Sequence, residues 1–217
     1  MFKSPRGTRD FYPEEMRVRN WLFGHFKAAA NSFGFEEYDA PILETEELYI
    51  RKQGEEITQQ LYNFEDKGGR KVTLRPEMTP SLARMVLAKA NTLPMPLKWY
   101  SIPQCWRYER MQRGRLREHY QWNMDIWGSN GAEAEVELLC AMVNFFERIG
   151  VDSSQVGIRV NNRKLLQHVL ESAGINEEQF APVCIVIDKM DKISKEVIEE
   201  QLTALGLTSE TIELIQS

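Results

Sequence analysis

Five arginines crowd into the first half of one stretch, RYERMQRGRLREHYQWNMDIWG, which runs from Arg107 to Gly128. They are Arg107, Arg110, Arg113, Arg115 and Arg117, and no lysine accompanies them. The chain that carries them is acidic, with a formal net charge of −5. The positive charge is therefore local. Its chemistry is that of the guanidinium, a permanent cation whose planar fork grips phosphate or carboxylate oxygens two at a time. Strand alternation sorts the stretch and its flank into two faces. In the first arm Cys105, Arg107 and Glu109 share one face, and Trp106 and Tyr108 take the other. In the second arm Arg117, His119, Gln121, Asn123 and Asp125 share a face opposed by Tyr120, Trp122, Met124 and Ile126. One face packs on a helix. The other offers arginine, histidine, amide and carboxylate to a ligand, and a buried carboxylate there needs a partner. Joined through MQRGR, the two arms predict a hairpin that holds a polyphosphate. Neither G-x-x-x-x-G-K-S/T nor G-x-G-x-x-G occurs. The device is thus not a glycine loop at a helix N-terminus.

Something must position that hairpin. A helix is predicted from Pro13 to Phe33. Proline suits its first position, Glu14 and Glu15 face the positive end of the dipole, and Gly34 is a natural stop. Val18, Leu22, His25, Phe26, Ala29 and Phe33 recur on it at helical spacing. FEEYDAP predicts a strand ended by Pro41, and a short helix is expected over Glu46–Lys52. LYNFED and RKVTLRP flank Gly68 and Gly69 as a hairpin. Thr79 is expected to cap a helix running to about Ala90. Strands follow at Lys98–Ser101, Cys105–Arg110 and Glu118–Gly128. A helix over Ala134–Arg148 closes at Gly150. VGIRV reads as a strand and NNRKLLQHVLESAG as a helix, with further helices near Lys195–Leu205 and Ser209–Gln216. The fold class is α+β, an antiparallel sheet flanked by helices over residues 1–165, then a mostly helical segment over 166–217.

Composition sets the outer limits. The 217 residues are 42% hydrophobic and 27% charged, values of an ordinary globular protein. No apolar run approaches the roughly 18 residues of a membrane span, and the N-terminus has no apolar signal core. Cys105, Cys140 and Cys184 are isolated, an odd set that suits the reducing cytoplasm. No His, Cys and carboxylate spacing suggests a protein-bound metal. Cys105 has no recognisable base and does not read as a nucleophile. His25 lies on an apolar stripe as a packing residue, and His168 has no metal-ligand partner.

The quoted stretch, extended to WRYERMQRGRLREHYQWNMDIWG, resembles motif 2 of class II aminoacyl-tRNA synthetases in the form of the histidyl-tRNA synthetase family. GTRDFYPEE at Gly7–Glu15 is similar to that family's opening. The first helix with GFEEYDAPILE is similar to its motif 1, and TLRPEMT at Thr73–Thr79 to its histidine-binding loop. IRVNNRKLL and IDKMDKI resemble the segment entering its inserted domain. The resemblance implies a cytoplasmic homodimer built through motif 1, a histidine–tRNA ligase that binds ATP with Mg2+, L-histidine and tRNA. It assigns Arg107 to both the ATP α-phosphate and the histidine carboxylate, and it makes Arg107 the catalytic residue. Glu109 goes to the adenine region, Arg115 to the γ-phosphate, and His119 to the position of the ring beneath adenine. Glu77, Met78, Thr79, Gln121 and Asp125 are implied to line the histidine pocket, with Arg107. Carboxylates and an amide suit an ammonium group and two ring nitrogens.

The resemblance also implies parts that are not found. A second histidine-specific motif, motif 3 and an anticodon-binding domain do not follow. The expectation is an N-terminal half cut within the inserted domain, inactive alone. Two other readings are a non-catalytic paralogue, such as the regulatory subunit of ATP phosphoribosyltransferase, and a dimerising interaction module.

Overall fold

The computed structural model describes residues 2–50, 59–110, 112, 114–160, 162–190 and 193–216. The second part of the helix expected at Glu46–Lys52 lies outside them, although residues 47–50 are helical. Met111, Arg113, Asn161, Asp191 and Lys192 of the quoted motifs also lie outside. The chain folds as two compact units, residues 1–156 and 157–217.

In the first unit α1 spans Pro13–Ser32, with Pro13 at its start and Glu14 and Glu15 in its first turn. At its end Gly34 takes φ +73°, and the Phe35 N–H returns to the Ala30 carbonyl at 3.1 Å. That closure turns the chain directly into β1 (Glu36–Glu37). β1 lies parallel to β5 (Leu97–Ser101), and β5 pairs antiparallel with β8 (Asn123–Trp127). Trp99 stands opposite Asp125, and Tyr100 opposite Met124. A second sheet has the order β2 (Leu43–Thr45), β4 (Lys71–Leu74), β3 (Tyr62–Glu65) and is antiparallel. Its β3–β4 connection is the hairpin that Gly68 and Gly69 predict. A third, two-stranded ribbon joins β6 (Gln104–Trp106) to β7 (Glu118–Tyr120).

Helices sandwich the β1–β5–β8 sheet. On one face Tyr100, Met124 and Ile126 pack with Ala30, Phe35 and Leu138, which come from α1, its exit and α3 (Glu133–Arg148). Ala29, Ala30 and Ala141 are fully buried, so small side chains let α1 and α3 approach closely. Phe26 then stacks on Trp122 at 4.7 Å and meets Phe145 at 4.6 Å. On the other face Leu82 and Val86 of α2 (Thr79–Ala88) pack with Leu97, Trp99 and Trp127.

The second unit has its own core. Leu170 of α4 (Arg163–Ser172), Val183 and Val186 of α5 (Glu177–Ile187), Ile198 and Leu202 of α6 (Lys195–Ala204) and Ile212 of α7 (Ser209–Gln216) form it. An Asn176–Gln179 capping box starts α5. Among the described residues no helix is long and apolar enough to cross a membrane.

Several expectations need correction. The single strand over Glu118–Gly128 is two strands in two sheets: the Gln121 N–H still reaches the Pro103 carbonyl at 3.1 Å in the register of β6 and β7, but proline has no N–H to return and the ladder ends there. β6 stops at Trp106, since the Glu109 N–H turns back to the Arg107 carbonyl at 2.8 Å. FEEYDAP contributes only two strand residues, and the Asp39 carboxylate takes the Ala40 N–H at 2.8 Å. Thr79 is the first helical residue rather than the cap; Met78 precedes it and no side chain caps the helix. VGIRV is not a strand. It finds no pairing partner among the described residues, and Val156, Ile158 and Val160 are exposed. The second compact unit starts at Gly157, and Leu166 packs on its core.

Candidate functional site

The β6–β7 ribbon sets the site. Its register places Cys105 opposite His119, and the Arg107 N–H extends the pairing to the Arg117 carbonyl at 2.9 Å. Cys105, Arg107 and His119 consequently share one face, as alternation requires. Above them lies a cleft of about 260 Å³. Arg107, Glu109, Arg115 and His119 all line it, with Gly114 and Leu116. Arg9 and Glu118 line it too, and sequence reasoning did not single them out.

The cleft is electrostatically prepared for an anion. Arg115 forms an ion pair with Glu109, and that carboxylate raises the Arg115 guanidinium above its ordinary pKa. The pair holds both side chains at the cleft. Arg107 Nε donates to the Pro76 carbonyl at 3.2 Å, which fixes its fork beside the loop entering α2. Burial, and then the Arg107 charge, hold His119 below the usual imidazole range. At neutral pH it presents a neutral ring, fit for stacking. Glu118 is buried; it accepts the Arg9 backbone N–H at 2.9 Å and the Gln104 side-chain amide.

Of the residues expected around histidine, Arg107 lines this cleft, whereas Glu77, Met78, Thr79, Gln121 and Asp125 do not. Met78 is fully buried against Arg75. Glu77 and Thr79 are partly exposed at the mouth of α2. The Tyr49 hydroxyl braces this loop, donating to the Glu77 carbonyl at 3.4 Å and meeting Ser81 Oγ at 3.2 Å. Ser81 in turn donates to buried Glu44 at 3.0 Å, which also accepts from Arg84 at 2.5 Å. Burial pushes the Tyr49 phenol up to about 12, so it stays protonated. The Cys105 thiol donates to Gln121 Oε1 at 3.4 Å. Burial pushes that thiol up to about 11, which keeps it a donor and no nucleophile.

Arg75 ties these parts together. Its Nε donates to the Gln104 carbonyl at 3.0 Å, and its Nη1 donates to the Ala40 carbonyl at 2.7 Å and to Asp39 at 3.1 Å. Its own carbonyl accepts the Trp106 N–H at 2.9 Å. One buried guanidinium thus joins the strand after β1, the loop before α2 and the start of the arginine hairpin.

Asp125 sits on β8 across from Trp99, on the face toward α2. Its Oδ2 is buried and, among the described residues, has no hydrogen-bond partner. The Tyr38 hydroxyl is in the same condition. An orphaned carboxylate oxygen of this kind gains most from a donor brought by a ligand. Burial raises the Asp125 carboxyl above its ordinary range. The folded state therefore favours the protonated form, and stability falls as pH rises past the ordinary carboxylate range. Asp125→Asn should stabilise the first unit at pH 7, with the gain shrinking toward pH 4. Urea midpoints of both proteins at the two pH values check this, and an equal gap at both would contradict it.

Comparison with known proteins bears on what such a site serves. The family profile described as Histidyl-tRNA synthetase matches residues 7–216. The chain is 56% identical over 209 residues to a chloroplastic/mitochondrial histidine–tRNA ligase of Arabidopsis thaliana, covering 96% of this chain and 43% of that protein. It is 45% identical over 193 residues to a histidine–tRNA ligase of Leptospira biflexa, covering 88% of this chain and 44% of the other. The chain thus spans somewhat under half the length of these relatives. Among solved structures, a histidyl-tRNA synthetase from Nostoc sp. PCC 7120 is similar with a TM-score of 0.83 at 23% identity, over 99% of this chain and 48% of that one. The apo histidyl-tRNA synthetase of S. aureus is similar with a TM-score of 0.59 at 27% identity, over 69% of this chain and 40% of that one.

Proposed function

The chain belongs to the histidyl-tRNA synthetase family, and on that premise we propose that it is the ATP- and histidine-binding part of a histidine–tRNA ligase. The observation that carries this reading is the assembly of Arg107, Glu109, Arg115 and His119 around one cleft, with Arg107 fastened to the Pro76 carbonyl. In the reaction a histidine carboxylate oxygen attacks the ATP α-phosphorus. A new P–O bond forms, the bond to the β-phosphate oxygen breaks, and pyrophosphate leaves. On this reading the one guanidinium of Arg107 holds both the carboxylate and the α-phosphate, so that attack becomes effectively unimolecular. Arg115 leaves Glu109 for the γ-phosphate, and Glu109 turns to the adenine edge. The neutral His119 ring stacks on the base. Mg2+ arrives with ATP as part of the substrate. The histidyl group then passes to the terminal ribose of tRNA in the complete enzyme.

Glu77 and Asp125 supply carboxylates for the ammonium and ring nitrogens of histidine, and Gln121 supplies an amide steadied by Cys105. A homodimer through α1 fits the exposure of Val18 and Trp21 on that helix. The non-catalytic readings are weaker, because neither gives a reason for Arg107, Glu109 and Arg115 to share a cleft.

Calorimetric titration of this chain with histidine and with ATP tests the reading; a pure scaffold binds neither. Gln121→Ala and Asp125→Ala are each expected to cost about 1–3 kcal/mol of histidine affinity, the usual penalty for an unmet polar group. Unchanged affinity in both variants would remove these residues from the pocket.

A further inference from the structure

We propose that Arg9 is a third guanidinium of the phosphate seat and grips the β- and γ-phosphates of ATP; the inference rests on the ATP reading above. Arg9 is far from the arginine hairpin in sequence, and a backbone strap brings it there. The Arg117 N–H donates to the Gly7 carbonyl at 2.9 Å, and the Arg9 N–H donates to Glu118 Oε1 at 2.9 Å. Residues 7–9 therefore lie along the second arm of the hairpin, on the cleft side. Gly7 permits the approach. It takes φ +87°, and a Cβ there would stand 2.7 Å from Arg117 Cγ.

The strap leaves the Arg9 side chain on the cleft wall with a charge to spend. Its counter-ion, Glu118, is only 4% exposed and is already occupied by the Arg9 backbone and the Gln104 amide. The contact from Arg9 Nε to that carboxylate is long, at 3.5 Å. Among the described residues no acceptor engages the two terminal nitrogens of Arg9. The Phe11 ring lies 4.9 Å from its guanidinium carbon and steadies the plane. The other two arginines of the cleft have commitments, Arg107 to the Pro76 carbonyl and Arg115 to Glu109. A triphosphate carries more charge than those two can meet, and the excess lies beyond the α-phosphate.

The test compares ATP with AMP on this chain by calorimetry, in Arg9→Gln and Arg9→Lys. Because Arg9 is partly exposed, Arg9→Gln is expected to weaken ATP binding about tenfold and AMP binding less than about twofold. Arg9→Lys, which keeps charge without the fork, should fall between. Equal losses for ATP and AMP would mean that Arg9 acts only through the strap, and would overturn the proposal. So would unchanged ATP affinity in Arg9→Gln while the wild-type chain binds ATP. A wild-type chain that binds neither nucleotide overturns the ATP reading itself, and this inference with it.

Discussion

Arg107→Lys is expected to lower histidine-dependent ATP–pyrophosphate exchange by about two to three decades in an enzyme containing this chain, the typical loss for one preorganised charge contact, about 2.7–4 kcal/mol. Lysine keeps the charge but has one ammonium in place of the fork. It has no side nitrogen to hold the Pro76 carbonyl while leaving its end free, as Arg107 does through Nε. The change therefore removes a contact and releases the loop that carries Glu77 and Thr79. Arg110 is the proper control, since it is exposed and does not line the cleft. Arg110→Lys should be nearly silent. Equal losses in the two variants would mean that the arginine run acts as an undirected positive field.

Arg75→Met should unfold the first unit more easily by about 3 kcal/mol, because two part-buried carbonyls lose a charged donor and nothing in the protein replaces it. Arg75 is 3% exposed, whereas its ionic partner Asp39 is 76% exposed. The ion pair itself is therefore worth little. The cost comes from the carbonyls of Ala40 and Gln104, which methionine cannot satisfy. Urea unfolding followed by tryptophan fluorescence measures it, given Trp99 and Trp106 nearby. A loss under about 1 kcal/mol would show that water or a shifted loop meets those carbonyls instead. Asp39→Ala separates the two terms and is expected to cost far less.

Much of this was legible in the sequence because local chemistry decides it. Pro13, the glutamates after it and Gly34 fix both ends of α1 without tertiary help. The alternation through Arg107 and His119 survives in the ribbon, since a pleat has no other way to arrange successive side chains. What escaped depends on partners distant in sequence. Whether residues 118–128 make one strand or two is decided opposite Gln121, where Pro103 has no N–H to give, and no pattern within the stretch reveals that. VGIRV has strand composition, but a strand exists only by pairing. Arg9, Glu118 and Arg75 looked like ordinary charged residues, because their placement follows from contacts spanning the unit. Arg9 and Arg75 did stand inside motifs noted for family likeness. Tyr38, too, read as one more strand residue; its orphaned hydroxyl is a property of the packed core.

The handover of the chain from β7 to β8 at Gln121 and Trp122 limits how this protein can change length over evolution. Residues 117–125 work as a ruler, with His119 at one mark, Gln121 at the junction and Asp125 at another. A strand advances about 3.3 Å per residue and turns over at each step. Insertion of one residue there would swing Asp125 into the α1–α3 core and bring Met124 or Ile126 to the ligand side. Insertion of two would restore the faces but move the marks apart by roughly 7 Å, beyond what one small ligand can bridge. The nine positions from Arg117 to Asp125 can therefore change by substitution but not in number.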